Sequence, residues 1–295
     1  MRFVDFKDER IATNGIMLRC RYAGNGPAVA LLHGWCGSSH TWRHVAPLLA
    51  ERYTVIVPDM RGNGDSDKPE RGYDASTMSA DIAGLLDHFK AEQAHLVGHD
   101  MGAPVALVFS GLFPARSLSV TYLDEPLPGY NLEHYTAFIR ENHGGFWQFG
   151  LNWSPGLAEI LYAGHEVAFL THIMAEMTMV KGAITDADIN EHARGMLQPG
   201  GITGWVGWYR AAFDTAEQLR RLGDAHAFTT PILAYGGERG VVETCQQLRV
   251  LSQNVRGGVI DGVGHLIPEE APDTLAAYLL AFFASVAPES DRAHG

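Results

Sequence analysis

The chain has 295 residues, of which 46% are hydrophobic and 19% charged, with a formal net charge of −12. That is enough apolar material for one large α/β domain with an insertion, or for two domains. The acidic balance argues against nucleic acid or an anionic membrane surface as partner, because both call for a basic face.

The amino-terminal MRFVDFKDER is charged from its second residue and shows no apolar core of a signal peptide, so a cytoplasmic enzyme is the default expectation. Asp5, Asp8 and Glu9 read as solvated surface. Short apolar runs then punctuate the chain. Val29 to Leu32 stops at His33-Gly34, Tyr53 to Val57 at Pro58-Asp59, His95 to Val97 at Gly98, and Val120 to Leu123 at Asp124. Ile232 to Tyr235 stops at Gly236-Gly237, and Val259-Ile260 at Asp261-Gly262. Fully apolar strands joined through helical patterns predict a parallel sheet covered on both faces. Ligands bind at the carboxyl ends of such strands, where this chain places Gly, Asp and His.

From about Pro126 to Gly223 the strands stop and the sequence reads as helices rich in Trp, Tyr, Phe, Met and His. An aromatic helical insertion at that place predicts a cap over the site. Met174, Met177 and Met179 are expected in its packing core. LAAYLLAFFASVA is too short to span a bilayer and reads as a terminal core helix, followed by a frayed tail, APESDRAHG. Cys20, Cys36 and Cys245 lie far apart with no CxxC pair, so three reduced thiols are expected. His134, His143, His165, His172 and His192 have no metal-ligand spacing, and HIMAE is not HExxH, so neither a metal nor a cofactor is implied.

The chemistry concentrates at HLVGHDMGAP, where a strand runs into Asp100 and on into the helical APVALVFSGLF. Small residues on either side allow a sharp turn that presents the side chain above the sheet. An ordinary strand–turn–helix junction with an Asp N-cap gives the same pattern, so the motif needs partners. His265, in the Gly-flanked DGVGHLIPEE, is the general-base candidate. The acid that orients it is Asp124 in VTYLDEPLPG, with Glu125 and Glu238 as fallbacks. The commoner arrangement uses the turn after PILAY, and there the expected position holds Gly240. The Trp35 and Met101 backbone N–H groups are the candidate oxyanion donors. His99 reads as buried scaffold, and Asp59, Arg61, Gly64 and Ser66 as a loop brace.

HGW, PDMRGNGDSDKP, VGHDMG and GVGHLIPEE together resemble the α/β-hydrolase superfamily over nearly the whole chain. The resemblance implies an α/β-hydrolase fold: a mostly parallel eight-stranded sheet with helices on both faces and a helical cap between the sixth and seventh strands. The expected division is a core of 1–126 and 224–295 with a cap of 127–223. GHDMG resembles the branch with an Asp nucleophile, which holds epoxide hydrolases, haloalkane dehalogenases and haloacetate dehalogenases. YLDEPLPG, FWQFGLNWSPGLAEILYAGHE, WYRAAF and PILAYGGERG look like Cif-type bacterial epoxide hydrolases, which also keep the triad acid after the earlier strand.

A carboxylate suits attack at saturated carbon. A serine would form an ether there, whereas an aspartate forms an ester that activated water cleaves. The expected substrate is therefore a small epoxide, apolar or aromatic, opened to a vicinal diol. Tyr209 matches the cap tyrosine of epoxide hydrolases, and Gln148 stands where a second donor, a Tyr or His, is usual. Gln148 donates an N–H but supplies no proton. His33, Trp147, Phe149 and Trp208 are expected on the substrate wall, and Trp153 and Trp205 add to the aromatic character of the cap. Haloalkane dehalogenases carry Trp after the nucleophile and often Asn after the first HG; here Met101 and Trp35 stand there. Haloacetate dehalogenases carry arginines after the nucleophile, and MGAP has none. Dehalogenation is the second reading, and a non-catalytic binding protein on a retired hydrolase scaffold the third. A homodimer is left open.

Overall fold

The computed structural model describes residues 1–35, 37–137, 140 and 145–286. Cys36, His143 and the tail of 287–295 lie outside the described residues. Eight strands form one sheet: β1 (Lys7–Thr13), β2 (Ile16–Ala23), β3 (Ala28–Leu32), β4 (Thr54–Pro58), β5 (Ala94–His99), β6 (Ser117–Leu123), β7 (Ile232–Gly237) and β8 (Val255–Ile260). Their spatial order is β1-β2-β4-β3-β5-β6-β7-β8. β1, β2 and β4 pair antiparallel, and every pairing from β4 to β8 is parallel.

Among the described residues the helices, in chain order, are α1 (Val45–Leu49), α2 (Ala75–His88), α3 (Gly102–Leu112), α4 (Leu132–Thr136), α5 (Trp147–Trp153), α6 (Leu157–Tyr162), α7 (Glu166–Met177), α8 (Asp186–Met196), α9 (Gly201–Arg210), α10 (Ala212–Asp224), α11 (Thr244–Gln247), α12 (Ile267–Glu270) and α13 (Pro272–Val286). The alternation along β3 explains the layers. Ala28, Ala30 and Leu32 join the core with Met78 and Ile82 of α2 and Leu107 of α3. Val29 and Leu31 face the core with Leu49 of α1 and Leu279 and Phe283 of α13. A strand buried on both faces shows no polar alternation, which is why these runs are legible as strands.

β1 and β2 escaped the apolar-run reading because their sequences are mixed. β1 exposes Lys7, Asp8, Glu9 and Arg10 at the sheet edge, where charge discourages pairing with another chain. Leu275 to Val286 of LAAYLLAFFASVA lie in α13, and no helix among the described residues is long and apolar enough to cross a membrane. Cys20 and Cys245 are buried free thiols.

Helices α4 to α10 fall between β6 and β7 in the chain. Leu170, Met174, Ile189, Ala193, Trp205 and Tyr209 of these helices share a core with Trp35 and Leu266 of the sheet loops. Met179 departs from expectation. It follows the end of α7 and is 36% exposed, while Met174 is buried and Met177 packs at the margin. Gly204 seats α9 on the β4 loop: a Cβ there would meet the Gly62 carbonyl oxygen at 2.1 Å. The chain order reverses at β3, whose neighbours β4 and β5 lie on opposite sides. The loops after β3 and β5 thus border a topological switch point, where open α/β sheets bind ligands.

Candidate active site

Asp100 stands between β5 and α3 in the left-handed region, with φ of +52°. That conformation is costly for a side chain other than Gly or Asn, and strained residues concentrate at functional turns. Its own N–H donates to the Leu123 carbonyl at 2.9 Å, locking the turn to β6. The carboxylate is split between two environments. Oδ1 accepts from the Trp35 and Met101 N–H groups, each at 2.6 Å, so both expected oxyanion donors converge on one oxygen. Oδ2 lies 2.9 Å from His265 Nε2.

His265 Nδ1 lies 2.9 Å from Asp124 Oδ1. Asp124 also adopts a positive φ, +49°, and is fully buried. Its carboxylate accepts from the N–H groups of Gly237 and Val241 as well. The fallbacks are elsewhere: Glu238 accepts from Gly262 N, and Glu125 points its chemistry into the cavity described below. Gly240 shows why the later turn holds no acid. A Cβ at that position would stand 2.1 Å from Asp124 Oδ2 and 2.3 Å from Oδ1. The Asp124 carboxylate fills the space that a side chain at 240 would need.

Burial alone would drive protons off His265, but its hydrogen bonds to Asp100 and Asp124, and their charges, outweigh it and raise its pKa well above the ordinary value. Burial likewise favours a protonated Asp100, yet the His265 hydrogen bond and charge reverse this and lower its pKa. The two opposite shifts favour an ion pair between Asp100 and His265.

Two side chains brace His265. His99 Nε2 donates to the His265 carbonyl at 2.8 Å, with burial holding that imidazole below its usual pKa. Glu270, which the sequence reading missed, accepts from Gly264 N at 3.1 Å and Leu266 N at 3.0 Å, the neighbours of His265 on either side. It also takes Met179 N at 2.6 Å and Val180 N at 2.8 Å, while Met177 O receives the His265 N–H at 2.9 Å. The signal was present in HLIPEE: the fifth residue beyond the histidine falls one short helix later and turns back on it. The expected loop brace also forms. Asp59 accepts from Ser39 N at 2.7 Å and Asp65 N at 2.9 Å, and Arg61 pairs with Asp81 at 2.7 Å.

Asp100 and His265 open on a cavity of about 210 Å³ whose wall includes Glu125, Trp147, Gln148, Phe149 and Tyr209. Gln148 and Tyr209 are buried, and the Tyr209 ring lies edge-on to Trp35 and Phe149 at 5.1 and 4.8 Å. Two expected wall residues are not on this cavity. His33 is fully buried. Its Nε2 accepts from Met60 N at 2.9 Å, so Nδ1–H donates to the Gly34 carbonyl at 2.8 Å, and burial pushes its pKa down to about 4. It is a neutral brace of the strand exit. Trp208 donates to the Arg61 carbonyl at 3.3 Å and borders a neighbouring apolar hollow. Trp205 packs on Trp35 at 5.5 Å, and Trp153 lines an outer groove, so Trp147 is the one indole of the four on the cavity. Helical sequence gives no account of which face of α9 looks inward. Among the described residues no cluster of His, Cys, Asp or Glu is placed to hold a metal ion.

A strained Asp turn after β5 beside the switch point, with an acid after β6 and a histidine after β8 bonded to both carboxylates, is the arrangement of an α/β hydrolase. The α/β hydrolase fold family matches residues 27–272, and the chain belongs to it. Within it the chain lies close to bacterial epoxide hydrolases. It is 32% identical to the soluble epoxide hydrolase of Corynebacterium sp. (strain C12), over 92% of this chain and 95% of that protein. The solved structure of the epoxide hydrolase CorEH without ligand superposes with a TM-score of 0.89 at 29% identity, covering 96% of this chain and all of that one. The fluoroacetate dehalogenase of a Burkholderia sp. is 27% identical over 95% of this chain and 94% of its own length.

Proposed function

We propose that the chain is an epoxide hydrolase that opens a small epoxide to a vicinal diol through a covalent Asp100 ester. The observation that carries the reading is the division of the Asp100 carboxylate, Oδ1 between two N–H groups and Oδ2 free of them, facing His265 across the cavity mouth. Oδ2 attacks an oxirane carbon, the ring C–O bond breaks, and the oxygen departs as an alkoxide. Tyr209 supplies a proton from its phenol, with the Gln148 N–H as a second hydrogen bond. The segment 127–223 acts as the cap that brings both to the ring.

Esterification removes one of the two anions that hold the His265 proton. Its affinity for protons then falls, the Nε2 proton passes through solvent to the Tyr209 phenolate, and the neutral imidazole takes a proton from water. The hydroxide adds to Cγ of Asp100, and the negative charge develops on Oδ1, where Trp35 and Met101 N–H groups already wait. Collapse expels the diol oxygen, which takes the Nε2 proton of His265, and the Asp100 acid, now with one oxygen from water, returns its own proton to His265. Asp124 holds the ring of His265 and stabilises the imidazolium.

His265→Gln permits the first half-reaction and stalls the second. Intact-mass spectra of that variant with an epoxide panel should show one substrate mass added at Asp100, and a single turnover in ¹⁸O water should label Asp100 in the native enzyme. An unmodified variant across the panel would sink the ester mechanism. The second reading, dehalogenation, draws on the Burkholderia relative and on Arg239, the one Lys or Arg among the described residues of the cavity wall. Halide release from haloacetates distinguishes it.

A further inference from the structure

Glu125 is an acid that the proposed reaction leaves unused. It follows Asp124 at the end of β6, is 5% exposed, and has its carbonyl oxygen fixed by Gln247 Nε2 at 2.7 Å. No described residue hydrogen-bonds its carboxyl. The space Glu125 borders is the Asp100 cavity and the small apolar hollow beyond it, which also share Met101 and Phe149. Burial first, and the Asp100 charge second, raise its pKa well above the usual carboxylate range and so favour the neutral form, which has an O–H to donate. Met101, Phe149, Ile173 and Met177 give the cavity wall an apolar share, and no described residue hydrogen-bonds the Glu125 carboxyl. An unmade hydrogen bond in such a place is costly, and a site built to bond an oxygen discriminates against analogues that lack it.

We propose that Glu125 is a specificity residue: its carboxyl donates a hydrogen bond to an acceptor oxygen in the substrate's tail, so the preferred epoxides are oxygenated rather than pure hydrocarbons. The inference rests on the epoxide hydrolase reading. Butyl glycidyl ether and 1,2-epoxyoctane test it, since they differ by one ether oxygen in place of a methylene. The native enzyme should favour the ether by roughly 10- to 100-fold in kcat/KM. Glu125→Leu should collapse or invert that ratio, and Glu125→Gln, which keeps a donor of the same shape, should retain its sense. A native enzyme that shows no advantage for the ether overturns the proposal even if the Leu variant does not fold. An unchanged ratio in a folded Glu125→Leu variant overturns it as well. Turnover of neither compound, nor of any other epoxide, by the native enzyme overturns the epoxide reading itself.

Discussion

On the proposed mechanism, the acid partner of His265 should be movable from the end of β6 to the turn after β7 in two substitutions. Asp124→Gly alone removes the acceptor for His265 Nδ1, Gly237 N and Val241 N. Loss of the acid partner of a catalytic histidine costs on the order of 10³- to 10⁴-fold in kcat. Gly240→Asp alone places a Cβ 2.1 Å from Asp124 Oδ2, well inside van der Waals contact, and adds a second carboxylate to a buried first. That variant should lose at least about 3 kcal/mol of stability, through overpacking and an unpaired buried charge. In the double variant the two faults cancel. Gly at 124 is at ease with φ of +49°, and the new side chain at 240 enters the vacated space beside His265. The double variant should exceed Asp124→Gly by at least ~100-fold in kcat, a coupling of about 2.7 kcal/mol. The assays are kcat on an epoxide and thermal melting of all four proteins. A double variant that melts like the native enzyme but stays as slow as Asp124→Gly refutes the argument that these two positions compete for one acid.

Tyr209→Phe should slow single-turnover ester formation by roughly 10²-fold or more while leaving deacylation of a preformed ester nearly intact. A loss confined to deacylation would remove Tyr209 from ring opening. Glu270→Gln should lower stability by about 1–3 kcal/mol, since four backbone N–H groups lose a charged acceptor. It should also reduce kcat more than it raises KM, and an altered KM alone would argue against a role in placing His265. The pH dependence of stability follows from the opposite shifts of the pair. The raised His265 contributes stability that is complete below its unfolded value, about 6.5, and is lost as pH rises through its folded value. The lowered Asp100 contributes stability present above its unfolded value, about 3.9, and lost as pH falls through its folded value. The difference in melting temperature between native enzyme and His265→Gln should therefore be largest near pH 5–6 and shrink toward alkaline pH; one that grows with pH contradicts the assignment.

Local rules were enough for much of this molecule. Strands buried on both faces are continuous apolar runs, and their ends carry the Gly, Asp and His that chemistry needs, so the parallel sheet, Asp100 and His265 were legible from residues alone. The two oxyanion donors were legible too, because a backbone N–H is placed by chain connectivity next to the turn that bears it. β1 and β2 were not, because an edge hairpin with charged faces lacks the apolar signature. The choice of Asp124 over Glu125 and Glu238 was open in sequence, since three acids stand at two strand ends. The structure separates them: Asp124 bonds His265, Glu238 accepts from Gly262 N, and Glu125 borders the cavity. His33 and Trp208 illustrate the same limit. Whether a ring faces ligand or bonds a backbone group depends on tertiary placement: His33 is set by the Met60 N–H of the β4 loop, and Trp208 by how α9 is rotated against that loop. Sequence by itself carries the proposed class of electrophile, because an Asp on the elbow that attacks saturated carbon forms an ester that water can cleave. Only tertiary packing decided which acid serves the histidine and which is left facing the substrate, because both follow from a few ångströms of space between strands that are distant in the chain.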